Sequence, residues 1–285
     1  MPAGDPMTPP EDSAGATRGV PVWRVGPPRP GAAGGGPRDT VIREGLVELV
    51  LNGRTLVRIS CLPLALEDLA LGFLASEGLV DGPQAVWSLE VSPGADKVEV
   101  RAAVDPDRLV LFLERLAVSS GCGGGASAAA PVLPVSRSDT CLRPDDLSER
   151  MKEFEHASAL FRATGGVHAA AVTDGRAIEA MAEDIGRHNA VDKTIGRCLR
   201  QGIPLPDRAI LTTGRLSADV LAKAARAGAA VVVSPGAVTT RAIELAAAAD
   251  IAAVGFARAR RMNVYTAPWR LGLAPRPAEG QQRAT

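Results

Sequence analysis

The sequence predicts an α/β protein in which a helix-covered sheet follows a β-rich N-terminal part. From residue 167 onward, short Ala- and Val-rich strands alternate with helical segments, a pattern typical of a sheet with helices on both faces. Earlier strands instead alternate apolar and polar residues, as in VELVLNGRTLVRIS, which is typical of half-buried strands. With 285 residues and 46% hydrophobic content, the chain can bury a substantial core.

The N-terminal half is predicted to contain a leader and a β-rich subdomain. Residues 1–40 are rich in Gly, Pro and Ala without apolar periodicity, so we predict a disordered leader. Residues 41–140 form the predicted subdomain, which opens with a hairpin because Asn52-Gly53 favours a two-residue turn. An amphipathic helix follows in LALEDLALGFLASEGL and stops at Gly78. Two further strands, VWSLEV and KVEVRAAV, precede a second helix at 106–118.

The C-terminal half is predicted to form an α/β core over residues 141–272, with a flexible tail over 273–285. A helix at about 145–162 precedes five strands, which are VHAAAVT, AIEAMA, RAILTT, AVVVSP and IAAVGF. A helix is predicted after each of AIEAMA, RAILTT and AVVVSP. Ligands of such sheets bind beyond the carboxyl ends of the strands. The segments TTGRLS, SPGAVTT and GFARARR are therefore predicted to share one edge.

Composition excludes several classes of function. The formal net charge is zero, the pI is about 6.8 and aromatic residues make up 3% of the chain, which argues against nucleic-acid binding. We found no apolar stretch of membrane-spanning length and no signal-peptide pattern, so we expect a cytoplasmic protein without membrane association. The four cysteines form no CxxC pair, and we therefore expect free thiols and no metal site.

The run EDIGRHNAVDK, residues 183–193, concentrates polar side chains in an otherwise apolar region. Gly186 should lead into a helix near Arg187, where exposed amide donors could bind an anion. On that helix His188 and Asp192 share a face, as do Asn189 and Lys193. An exposed helix start with salt bridges is the simpler alternative.

Three other features are candidate site elements. Cys122 lies in SSGCGGGASAAAP, residues 119–131, which is predicted to be a mobile loop that cannot shield the thiol. His168 follows two glycines at the start of a strand, where a packed, hydrogen-bonded histidine is the alternative to a functional one. The segment ARARRMN, residues 257–263, holds an arginine cluster suited to phosphate or, alternatively, a solvated basic turn.

Taken together, these segments resemble the formate dehydrogenase accessory sulfurtransferase family, FdhD. The resemblance extends from about Glu44 to Tyr265 and includes LALGFLASEGL, the cysteine loop, TGGVHAAAV, EDIGRHNAVDKTIG, the TTGR turn, KAARAGAAVVVSPGAVTTRAIELA and VGFARARRMNVYT. It implies a cytidine deaminase-like α/β fold. It also implies a sulfur carrier that takes sulfur from a cysteine desulfurase to the molybdenum cofactor destined for the formate dehydrogenase catalytic subunit.

The resemblance assigns roles to particular residues. Cys122 would carry the sulfur as a persulfide, and the client would be the bis(molybdopterin guanine dinucleotide) form of the cofactor, recognised through its guanine nucleotide. A homodimer is also implied. The residues expected to contact the cofactor are His168, His188, Asn189, Asp192, Lys193, Phe256, Ala257, Arg258, Ala259, Arg260 and Arg261.

One departure concerns the cysteine loop. Many family members have a CxxC pair there, whereas this chain has Gly125 in place of the second cysteine. An internal disulfide therefore cannot resolve the persulfide, and sulfide release would need the acceptor metal or an outside reductant.

Two alternative functions make different demands on the sequence. A zinc deaminase needs a His or Cys near a Glu and a following PCxxC, and neither pattern occurs in the sequence. A non-catalytic chaperone for the molybdenum cofactor would need the arginine cluster and the helix start but not Cys122.

Overall fold

The computed structural model describes residues 15–22, 38–120 and 133–276, which form three sheets and seven α-helices. The strands are β1 (Thr17–Pro21), β2 (Arg38–Ile42), β3 (Gly45–Leu51), β4 (Arg54–Cys61), β5 (Val86–Val91), β6 (Lys97–Ala102), β7 (His168–Thr173), β8 (Ile178–Asp184), β9 (Ala209–Thr212), β10 (Val231–Val233), β11 (Ala252–Arg258) and β12 (Arg261–Val264). The helices are α1 (Leu66–Ser76), α2 (Pro106–Ser120), α3 (Pro144–Ala157), α4 (Ala159–Thr164), α5 (Arg187–Gln201), α6 (Ala218–Ala227) and α7 (Thr240–Ala248). In this described part, no helix is long and apolar enough to cross a membrane.

The first sheet is an antiparallel pair made by β1 and β2. The predicted disordered leader, 1–40, includes all of β1 and the start of β2, so the structure differs from that prediction at these residues. Ala16 is fully buried and packs in a small cluster with Leu160 and Val167. Because these partners lie far along the chain, local composition gave no sign of the pair.

The second sheet has four strands in the order β4-β3-β6-β5 and confirms the β-rich N-terminal part. β3 and β4 form the predicted hairpin, with Asn52 at φ 51° and Gly53 at φ 80° in its turn. The Asn52 side chain accepts a hydrogen bond from the backbone N–H of Ala102 and donates one to its carbonyl, both at 3.0 Å. The turn is therefore fixed to the neighbouring strand β6.

α1 joins this sheet to the rest of the molecule by crossing α5 in direct backbone contact. The crossing point is Gly72 against Gly196. A Cβ atom on Gly72 would lie 1.8 Å from the Asp192 carbonyl oxygen, and one on Gly196 would lie 1.9 Å from that of Asp68. Only glycine permits this approach, so the two glycines set the spacing of the helices.

The third sheet has six strands in the order β12-β11-β10-β9-β7-β8. β9, β10 and β11 are parallel, while β7 pairs antiparallel with both β9 and β8. One face, including Ile210 and Val232, packs under α5, α6 and α7. The other face, including Leu211 and Val233, packs under α3. The predicted α/β class, with a helix-covered sheet, is confirmed.

Two predicted elements differ from the structure. The single helix predicted at 145–162 is two helices, α3 and α4, because Ser158 has extended backbone (ψ 96°) and its hydroxyl accepts a hydrogen bond from Phe161 N at 3.3 Å as the N-cap of α4. The strand β12 was not predicted. It returns antiparallel to β11 after a tight turn in which Ala259 has φ 53°, a conformation that alanine does not signal.

Candidate functional site

The loops that follow the strands of the large sheet meet at one edge, which we call the carboxyl edge. β8, β9, β10 and β11 run in the same direction and end there, while β7 begins there with His168 opposite Asp184. The Ser234 hydroxyl donates to Gly214 O at 2.5 Å, and Phe256 N donates to Gly236 O at 2.9 Å. These bonds join TTGRLS, SPGAVTT and GFARARR, so their predicted common edge is confirmed.

A cleft of about 530 Å³ opens at the carboxyl edge. A volume of this size is typical of small-molecule sites, which combine apolar walls with a few polar groups. Its lining includes Phe161, Gly166, His168, Ile185, Thr213 and Pro235.

His168 supplies a titratable group to this cleft. Its Nδ1 lies 3.1 Å from the Thr213 hydroxyl, which also accepts a hydrogen bond from Ala169 N at 3.1 Å. Burial lowers the pKa of His168 below 6.5, and the charge of Arg187 lowers it further. At neutral pH the imidazole is therefore uncharged, and it can donate a hydrogen bond to a ligand or accept one from it.

Three of the seven polar residues in the run 183–193, namely Asp184, Asp192 and Lys193, are buried in the interior. Lys193 Nζ lies 2.6 Å from Asp184 Oδ2, and both side chains are at most 1% exposed. Asp192 accepts a hydrogen bond from the Ser76 hydroxyl at 2.6 Å and lies 2.9 Å from Lys223 Nζ. The charges of Asp192 and Lys193 are therefore committed to neighbouring side chains and hold α5 against α1 and α6.

Asn189 and His188, by contrast, are partly exposed at the start of α5. Asn189 Nδ2 donates to Ser60 O at 2.8 Å and to Asp184 Oδ1 at 2.9 Å. His188 Nε2 lies 3.4 Å from the Ser217 hydroxyl, the N-cap of α6. Burial and the charge of Arg187 lower the pKa of His188. His188 thus places a second neutral imidazole near the carboxyl edge.

The segment Phe256–Arg261 forms the end of β11 and the turn into β12. Phe256 has φ 51° and a side chain that is 45% exposed. Arg258 Nε donates to Pro235 O at 3.0 Å, and Pro235 also lines the cleft. The predicted arginine segment therefore contacts the cleft wall through Arg258, and Arg260 and Arg261 are exposed in the turn that follows.

The cysteines divide into buried and exposed thiols. Cys61 and Cys198 are fully buried, and burial raises the pKa of each to about 12. Cys141 is exposed. Cys122 and its loop lie in residues 121–132, outside the described part of the chain. Within the three described ranges, no group of three or more His, Cys, Asp or Glu side chains is arranged to hold a metal ion.

The sequence alone does not mark two residues of the carboxyl edge, Thr213 and Asp184, as site residues. Thr213 bonds to His168, and its only sequence signal is its place after a strand, in TTGR. Asp184 accepts hydrogen bonds from Leu62 N, Gly186 N and Asn189. No local pattern shows that this acidic residue is the point where the N-terminal sheet contacts the start of α5.

A helix-covered sheet with a cleft at its carboxyl edge is the architecture of α/β ligand-binding proteins. Within that class, the model of the FdhD/NarQ family matches residues 42–272, and the chain belongs to this family. The match confirms the family that the motifs indicate.

Relatives and a solved structure agree with this assignment. The sulfur carrier protein FdhD of Shouchella clausii is 36% identical over 242 residues, covering 82% of this chain and 91% of the relative. The sulfur carrier protein FdhD of Bacillus subtilis is 35% identical over 241 residues, covering 82% of this chain and 90% of the relative. The crystal structure of a protein from Desulfotalea psychrophila, described as a formate dehydrogenase accessory protein, has a TM-score of 0.68 and 27% identity, covering 90% of this chain and 97% of that one.

Proposed function

We propose that this protein is a sulfur carrier for formate dehydrogenase. In this proposal Cys122 accepts sulfur from a cysteine desulfurase and passes it to the bis(molybdopterin guanine dinucleotide) form of the molybdenum cofactor before the cofactor enters the formate dehydrogenase catalytic subunit. The names of the relatives, sulfur carrier proteins, and of the structural neighbour, an accessory protein, support it.

The observation that carries the proposal is the distribution of thiols. A carrier needs an accessible thiolate. Cys61 and Cys198 are buried, and a pKa of about 12 keeps both thiols protonated at neutral pH. Cys122 and Cys141 remain as candidates. Cys122 has glycine on both sides in the sequence, so no adjacent side chain would shield its sulfur, and its segment resembles the cysteine loop of the family.

The transfer is a balanced exchange. The Cys122 thiolate attacks the outer sulfur of the persulfide on the desulfurase, so that one S–S bond forms, one breaks and the desulfurase thiolate leaves. No net oxidation occurs in this step. Delivery of the outer sulfur as sulfide takes two electrons, and because Gly125 replaces a second loop cysteine, these come from the acceptor metal centre or from an external thiol reductant.

The carboxyl edge is the proposed binding site of the client. A cleft of about 530 Å³ suits one nucleotide end of the cofactor. The neutral His168 offers a hydrogen bond, and Arg258, Arg260 and Arg261 offer guanidinium groups for phosphate. Asp192 and Lys193 then act indirectly, because their buried ion pairs position α5 and the partly exposed His188 and Asn189 at its start.

The test is sulfur loading from a cysteine desulfurase with labelled cysteine. The wild type and Cys141→Ala should each acquire label that dithiothreitol releases, and Cys122→Ala should acquire none. Cys141→Ala is the matched control because it also removes one thiol that the burial argument leaves as a candidate. Equal labelling of Cys122→Ala would contradict the carrier role of Cys122.

A cofactor chaperone is the second candidate, because the cleft and the arginine segment need no thiol to bind a nucleotide. It would be favoured if the wild type binds guanine nucleotide but acquires no label. Sulfur loading with no nucleotide binding would instead leave a carrier whose client is not a guanine dinucleotide.

A further inference from the structure

Among the described residues, Arg187 is a partly buried arginine with no carboxylate as a counter-ion. It is the first residue of α5 and is partly buried. Each of the other described arginines that are not exposed pairs with a carboxylate at 2.6 to 4.0 Å. These paired residues are Arg115, Arg150, Arg197, Arg208, Arg226 and Arg270.

Within residues 15–22, 38–120 and 133–276, no carboxylate forms an ion pair with Arg187. Its Nε atom is buried and meets no hydrogen-bond acceptor in that same part of the chain. A buried hydrogen-bond donor without a partner costs free energy. Such a donor is therefore available to an anion that reaches this edge of the sheet.

The side chain of Arg187 lies across the TTGR turn at the carboxyl edge. A Cβ atom on Gly214 would lie 2.9 Å from both Cβ and Cδ of Arg187, so glycine at this position makes room for the arginine. The charge of Arg187 is also close enough to His168 and His188 to lower both pKa values, after the larger effect of burial. Since both imidazoles are neutral at pH 7, Arg187 is the permanent positive charge among these three side chains.

We infer that Arg187 binds the diphosphate group of a nucleotide at the carboxyl edge. The guanidinium fork matches phosphate oxygens in a bidentate manner, and the adjacent cleft, which His168 lines, has room for the nucleoside. The inference rests on the proposed function, in which the client presents a guanine nucleotide. It adds the residue that would distinguish a phosphorylated ligand from its nucleoside.

The experiment is calorimetric titration of the full chain with GDP, ADP, guanosine and inorganic pyrophosphate. Arg187→Gln should weaken binding of GDP and pyrophosphate by about 10- to 100-fold, the loss expected for hydrogen bonds to a charged group, and should leave guanosine unchanged. Arg187→Lys keeps the charge but not the guanidinium fork, so its affinity for GDP and pyrophosphate should lie between those of the wild type and Arg187→Gln. Arg176→Gln is the control, because this exposed arginine lies in the β7–β8 turn at the opposite edge of the sheet.

The outcomes separate this inference from the proposed function. If GDP binds in preference to ADP but equally well to Arg187→Gln, the role of Arg187 is wrong and the guanine site stands. If pyrophosphate binding depends on Arg187 and GDP is not preferred to ADP, the anion site stands and the guanine dinucleotide client does not. Absence of binding to the wild type would overturn the inference.

Two further measurements test whether Arg187→Gln is folded and whether the anion binds next to Arg187. Should Arg187→Gln fail to fold by circular dichroism, Arg187→Lys decides, and pyrophosphate affinity equal to that of the wild type would overturn the inference. In addition, pyrophosphate should raise the pKa values of His168 and His188 in NMR titrations, because it neutralises the Arg187 charge that lowers them. No such rise should occur in Arg187→Gln.

Discussion

Replacing Gly196 with alanine should destabilise the protein although alanine is the better helix former. The new Cβ atom would lie 1.9 Å from the Asp68 carbonyl oxygen and 2.8 Å from Gly72 N, whereas contacts below 3.0 Å essentially do not occur. Because both obstacles are backbone atoms, α1 and α5 would have to separate by about 1 Å, an overpacking that costs about 3 kcal/mol. The gain in helix propensity is about 1 kcal/mol, so the expected net loss is about 2 kcal/mol.

The assay is urea denaturation followed by circular dichroism at 222 nm, with Gly202→Ala as the matched control. Gly202 ends the same helix at φ 69° with no neighbouring atom within 4 Å of an added Cβ. Its substitution should cost about 1 kcal/mol, from left-handed backbone strain alone. If Gly196→Ala loses less free energy of unfolding than Gly202→Ala, the close helix crossing is not a determinant of stability.

Three more results are expected. Lys193→Met should lower the free energy of unfolding by about 3 to 5 kcal/mol, because Asp184 would be left buried without its ion pair, and adding Asp184→Asn should recover part of the loss in the same urea assay. The free energy of unfolding should fall as pH drops below about 6.5, since the lowered pKa values of His168 and His188 make the unfolded state bind protons first. His168→Gln should reduce the slope of this dependence between pH 7.5 and 5, and an unchanged slope would contradict the role of His168. Iodoacetamide at pH 8 should modify the exposed Cys141 readily and Cys198 only after unfolding, because a pKa of about 12 leaves about one Cys198 thiol in ten thousand ionised. Peptide mass spectrometry measures alkylation at both sites, and rapid alkylation of Cys198 in the folded protein would contradict this expectation.

Local signals predicted most of the fold. The hairpin follows from Asn52-Gly53, since few residue pairs adopt two successive positive φ angles. The order of strands and helices after residue 167 follows from alternating Val- and Ala-rich segments, and the sheet then places the three strand-end loops at one edge. The helix start at Arg187 was likewise visible from the glycine before it.

The remaining features depend on partners that are distant in sequence. His188 and Asp192 are four residues apart on one helix, yet Asp192 is buried because Ser76 and Lys223 reach it from two other helices. Spacing alone cannot show where a helix passes from the surface to the interior. The sequence equally gives no sign that, within the described ranges, the Nε atom of Arg187 is buried without an acceptor, because that depends on every side chain packed around it.

The contacts between α1 and α5 also bear on how the polypeptide could be divided. The segment 121–132 links a first piece that carries α1 to a second piece that carries α5. The Gly72–Gly196 crossing and the bond from Leu62 N to Asp184 Oδ2 at 3.1 Å join those pieces without covalent help. Two separately expressed fragments, split within 121–132, should accordingly reassemble into a nicked but native protein, which makes this junction suited to a split-protein design.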